Sequence, residues 1–264
     1  MLLRRDEHGW LAIGQPSHAW LSEQLARAWG NARFGKVRPR QEVCLAAGQH
    51  DVGWGTQDLS PLLAPQEGRP RSFMEMPLDV HLDIFTQGPR RMVSQSRYAA
   101  LLISMHGWRL YERRDLDRAS PEDAAAIRAF LAGQRAFQQE LLDALRQDVA
   151  TAEVSQDAVV ERNSLLIWTW DYLSLALCLD WNPATAKGAP AAQGLVDIEL
   201  RREPGAGAWR LDPWPFSEGS VSVRCEGRRL GQGFDSEASL RQAFLAASWE
   251  TLEFILEPAL STGS

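Results

Sequence analysis

Two adjacent residues, His50 and Asp51, stand where an apolar segment runs into the glycine-punctuated turn Val52-Gly53-Trp54-Gly55. A neutral imidazole beside a carboxylate suits iron, manganese, zinc or magnesium, and adjacency lets one residue bind an ion while the other bridges to a second. A lone His-Asp pair arises by chance in many chains, so its company decides its meaning. The chain has five histidines. Four of them, His18, His50, His81 and His106, fall on or at the ends of successive expected helices, and His8 lies in a turn. Asp171 is the one carboxylate in the largely apolar stretch Leu165–Leu179. An unpaired carboxylate buried there would cost several kcal/mol or shift its pKa, so Asp171 calls for a cation or strong donors. With Asp51 as the bridge, His18, His50, Asp51, His81, His106 and Asp171 form a set large enough for two divalent ions.

The elements that must carry these residues read mainly as helices. A hairpin is expected around Asp6-Glu7-His8-Gly9, then a helix over 18–30 capped by Ser17, and a second over about 41–50 that ends at the doublet. Residues 52–75 read as a long loop rich in glycine and proline. Trp54, Arg69 and Arg71 in it are candidates for substrate contact, and Asp58 for orienting a metal-bound water or a ligating imidazole. Helices follow over 77–87 with His81, 94–113 with His106, 120–147 behind Ser120-Pro121-Glu122-Asp123, and 157–179 with Asp171. After Trp181 a Pro/Ala/Gly linker to about Gly194 precedes short strands at 196–202, 208–211 and 220–224, a helix over 236–248 and a last strand at 251–256. The expectation is a mainly α (α+β) chain of one domain, 1–264. Its metal-binding helical core spans 15–182, and its small antiparallel sheet is built from 1–14 and 195–258.

Composition narrows the partners. With 45% hydrophobic and 23% charged residues and a net charge of −6, the chain is ordinary globular material without the basic face of nucleic-acid or anionic-membrane binders. Polymeric nucleic acid and membrane are therefore not expected partners; a small anionic substrate is, with a homo-oligomer left open. Cys44, Cys178 and Cys225 are scattered and form no CxxC, which suggests reduced thiols and a cytoplasmic setting. The first residues lack an apolar signal region. Phosphate loops of the GxxxxGK[ST] type, GxGxxG turns and GxSxG elbows do not occur.

The order His18, His50-Asp51, His81, His106, Asp171 resembles that of the HD-domain superfamily of metal-dependent phosphohydrolases, in the branch with two additional histidines, and within it an uncharacterised bacterial family of unknown function. The resemblance covers about residues 15–180. It implies one ion on His18, His50, Asp51 and Asp171, and a second on His81 and His106, with Asp51 between them. The chain departs from many relatives after the doublet, where Trp54 follows Val52-Gly53 and the lysines, Lys36 and Lys187, lie far away.

Two chemistries fit such a set. Ion-activated water could attack a small phosphoester, with Arg69 and Arg71 binding the phosphate and Trp54 walling the pocket. Alternatively, a di-iron centre could use O2 to cleave a small hydroxylated molecule. A third reading keeps the fold as a small-ligand sensor.

Overall fold

The computed structural model describes residues 1–64, 66–205, 207–231 and 233–260. The expected hairpin is present: β1 (Leu2–Asp6) pairs antiparallel with β2 (Gly9–Ile13), Leu2 opposite Ile13. Gly9 turns at φ +116, and a Cβ there would meet the Leu230 carbonyl oxygen at 2.6 Å. Only glycine combines that backbone with that approach.

A run of helices follows. α1 (Gln15–Ala28) starts earlier than its sequence suggests, with Gly14 before it, Pro16 in its first turn and the Ser17 hydroxyl donating to the Glu226 carbonyl instead of capping. α2 (Arg40–Gln49) ends at His50, and a 3-10 turn, Val52–Trp54, leads into the short α3 (Gly55–Leu59). A two-stranded ribbon, β3 (Leu63–Ala64) with β4 (Arg69–Pro70), gives part of the expected loop a structure of its own. α4 (Leu78–Met92) carries on past its expected end, with Pro89 inside it. α5 (Arg97–Glu112) precedes α6 (Pro121–Gln147), where the Ser120 side chain accepts from the Asp123 amide, and α7 (Asp157–Cys178) completes the helical layer. No helix among the described residues is long and apolar enough to cross a membrane.

The chain then forms β5 (Ala184–Ala191), β6 (Gly194–Arg201), β7 (Ala208–Asp212), β8 (Val221–Leu230), α8 (Glu237–Ala246) and β9 (Trp249–Pro258). These strands and the hairpin make one seven-stranded sheet in the order β1-β2-β8-β9-β7-β6-β5, antiparallel except where β7 runs parallel to β9. The expected mainly helical fold with a small antiparallel sheet is therefore incorrect: the molecule is part helical and part a large mixed sheet. The discrepancy has two sources. The segment read as a Pro/Ala/Gly linker is strand β5, whose buried positions are filled by Ala184, Ala186, Ala189 and Pro190, so it lacks the bulky alternation by which strands are recognised. β8 and β9 also run to ten residues each, well beyond their apolar centres.

Helices and sheet share one buried core, in which Leu25, Leu101 and Leu166 pack in the same cluster as Ile198, Val223 and Leu256. Cys178 and Cys225, distant in sequence, come to 3.6 Å between sulfurs where α7 meets β8, and all three cysteines are buried free thiols.

Candidate metal centre

Three helical segments deliver the site. His18 lies in the second turn of α1, His50 and Asp51 follow the end of α2, and Asp171 comes from α7, helices that pack on one another. Their polar atoms converge. His18 Nε2 stands 3.1 Å from Asp171 Oδ1 and 3.2 Å from His50 Nε2, and His50 Nε2 stands 3.3 Å from the same Asp171 oxygen. Asp51 Oδ2 lies 3.6 Å from His18 Nε2 and 3.7 Å from His50 Nε2. From α5, His106 brings its Nε2 to 4.0 Å from Asp171 Oδ2. Two overlapping triads suited to an ion result, His18–His50–Asp51 and His50–His106–Asp171.

The electrostatics of the cluster favour a cation. His50 Nδ1–H donates to the Ala47 carbonyl at 2.8 Å, which turns Nε2 inward. Burial works against an imidazolium at His50, but the charge of Asp51 and the hydrogen bond and charge of Asp171 outweigh it and hold the pKa up at about 9. Burial likewise opposes ionisation of Asp171, and the hydrogen bonds of His18 and His50 overcome it, so its carboxyl is held well below the usual range. Burial pushes Asp51 up, and it pushes His106 down to about 3, helped by the charge of His50. Asp51 Oδ1 is buried without a hydrogen-bond partner among the described residues. Inward-facing imidazole nitrogens, two carboxylates and an orphaned oxygen match the donor set of a divalent ion.

His18, Asp51, His106 and Asp171 of the cluster form the floor of a cavity of about 300 Å³. Buried Trp54 and Phe85 wall it, and Met74, Leu110, Arg114 and Leu175 stand nearer its rim. His81 also lines it but belongs to neither triad. Its Nδ1 bonds the Tyr111 hydroxyl, and its ring packs against Trp54 and Phe85 with centroids 5.2 and 4.9 Å away. Burial and the charge of Arg114 hold His81 down to about 4, and burial holds the Tyr111 hydroxyl up at about 12. With a neutral imidazole beside a protonated, buried phenol, either Tyr111 donates to Nδ1 and the His81 proton sits on Nε2, or Nδ1–H donates to the phenol oxygen.

Other expected contacts fall elsewhere. Asp58 is buried but does not line the cavity; it accepts from the Gln15 amide at the head of α1 and pairs with the Met1 ammonium at 2.7 Å. Arg69 is held by Glu67 and Glu75, and Arg71 Nε donates to the Leu63 carbonyl, so neither reaches the cavity. Trp54 does line it. Gln15, Tyr111 and Arg114 escaped the sequence reading, although helical spacing carries a signal: Leu110 and Arg114 follow His106 by four and eight residues.

A profile of the family described as Protein of unknown function (DUF3891) matches residues 1–232. No curated protein and no solved structure matches the chain.

Proposed function

The chain belongs to this family of unknown function, and we propose that it is a metal-dependent hydrolase of a small phosphorylated molecule, with a site of the HD-domain type. The observation that carries this reading is the convergence of His18, His50, Asp51 and Asp171, from α1, the end of α2 and α7, beside a single cavity that His18, Asp51 and Asp171 line. These four residues would hold the principal ion. Asp171 turns Oδ1 toward His18 and His50 and Oδ2 toward His106, and Asp51 keeps an unpartnered Oδ1, so either carboxylate could link a second position. A bound divalent ion would supply Lewis acidity, lowering the pKa of water and polarising the phosphoryl group.

The chain's own residues supply the rest. Hydrolysis forms a bond from water oxygen to phosphorus and breaks the bond from phosphorus to the alcohol oxygen, which departs with a proton. In the tautomer in which Tyr111 donates to Nδ1, His81 carries Nε2–H and can give a hydrogen bond to that oxygen from the cavity wall. Trp54 and Phe85 exclude bulk water, and Arg114 offers the rim a positive charge toward an anion.

The test is metal analysis of protein purified without chelator, followed by assay on p-nitrophenyl phosphate with and without chelator. The reading expects bound zinc, manganese, iron or magnesium and turnover that chelation removes. Metal-free protein that gains no turnover with any of these ions would refute it, and antiferromagnetically coupled iron with O2 consumption would transfer the site to oxygenase chemistry.

A further inference from the structure

The cavity walls differ in character from the floor. Trp54, Phe73, Met76, Phe85, Leu110 and Leu175 present large apolar side chains, and outside the metal cluster Arg114 is the one permanently charged residue among those lining the space. The hydroxyl of Tyr111 is committed to His81. A sugar or nucleoside body would have to bury several hydroxyls against these walls with few partners, and each unpaired polar group costs free energy on desolvation. An extended polyphosphate would meet a single guanidinium. The volume, about 300 Å³, lies at the small end of ligand pockets, roughly 300 to 1,000 Å³.

We infer that the substrate is the phosphate ester of a small apolar alcohol, aromatic or branched aliphatic, whose body lies between Trp54, Phe85, Leu110 and Leu175 while its head group rests on the His/Asp floor. The inference rests on the hydrolase reading above and adds to it the class of alcohol released. Shape and desolvation select the body, and the floor and Arg114 select the head.

Three non-hydrolysable phosphonates separate the two levels: methylphosphonate, benzylphosphonate and 2,3-dihydroxypropylphosphonate, titrated calorimetrically into the full chain loaded with Mn2+. All carry the same head. Benzylphosphonate is expected to bind at least about tenfold more tightly than methylphosphonate, as burial of its ring predicts, and dihydroxypropylphosphonate no more tightly than methylphosphonate. Leu175→Asn should reduce the ratio of benzylphosphonate to methylphosphonate affinity. Equal affinity for all three, or preference for the dihydroxypropyl compound, overturns the apolar class alone. Failure of all three to bind the loaded protein removes the phosphate-head reading and this inference with it.

Discussion

His18 Nε2 and Asp171 Oδ1 lie 3.1 Å apart although 153 residues separate them, and both are buried. Asp171 thus closes a ring of donors that α1 and α2 begin. Asp171→Asn keeps the volume and removes the charge. Its metal affinity should fall by about 100-fold or more, the upper end of what losing even an outer-shell partner costs. Metal titration of the folded variant, checked by circular dichroism, measures this; wild-type affinity would place the ion elsewhere.

Asp51 and Asp58 should separate cleanly. Asp51→Ala removes a candidate ligand and should lower both bound metal and turnover. Asp58→Ala leaves the Gln15 amide and the Met1 ammonium without their acceptor, so it should lower stability by about 1–3 kcal/mol while metal per chain stays near wild type. Thermal melts and metal analysis on the two variants decide; metal loss in Asp58→Ala would give that residue a direct role at the ion.

Stability should fall in mild acid through His81. Burial and the charge of Arg114 depress its folded pKa from 6.5 to about 4. Between those values the unfolded chain binds a proton that the folded chain refuses, so the stabilisation is complete above the ordinary value and declines as pH drops toward the folded one. His81→Gln, whose side-chain oxygen can still accept from Tyr111, should flatten the dependence of melting temperature on pH in that window. An unaltered slope would assign the acid sensitivity to other groups.

Gly53 and Gly88 allow the turn after the doublet to lie directly on α4. A Cβ at Gly53 would meet the Ile84 carbonyl oxygen at 2.4 Å, and one at Gly88 the Gly53 nitrogen at 3.2 Å. Backbone cannot yield as a flexible side chain does. Gly53→Ala should therefore cost about 1–3 kcal/mol and weaken metal retention, because the displaced turn carries Asp51 with it. A chemical denaturation curve superimposable on wild type would show that the turn has room to move.

The candidate ligands were legible because each is a polar residue in an apolar helical context, and Asp171 most of all. The cavity was partly legible, since its lining repeats the ligands at helical spacing: Gln15 before His18, Leu78 and Phe85 around His81, Leu110 after His106, Leu175 after Asp171. What spacing cannot convey is which way a side chain is spent. Arg69 looks like an anion reader until Glu67 and Glu75 claim it, and spacing does not show that Tyr111 engages His81 Nδ1 and leaves Nε2 as its remaining ring nitrogen. The sheet was the least legible part, because β5 buries alanines and the ladders β2–β8 and β7–β9 join strands distant in sequence.

The place of β9 bears on how the molecule is made. β1, β2 and β8 lie on one side of it and β7, β6 and β5 on the other, so the two halves of the sheet have no shared backbone ladder until Trp249–Pro258 arrives. During synthesis the helices that hold the candidate ligands leave the ribosome well before that strand, and domains assemble as their segments emerge. The helical layer can gather early, whereas the face it packs against stays split, with two unpaired edges that invite aggregation. Closure of the sheet is in this sense a terminal checkpoint on folding: a nascent chain halted before residue 249 exposes those edges to chaperones and proteases even if every candidate ligand has already been made.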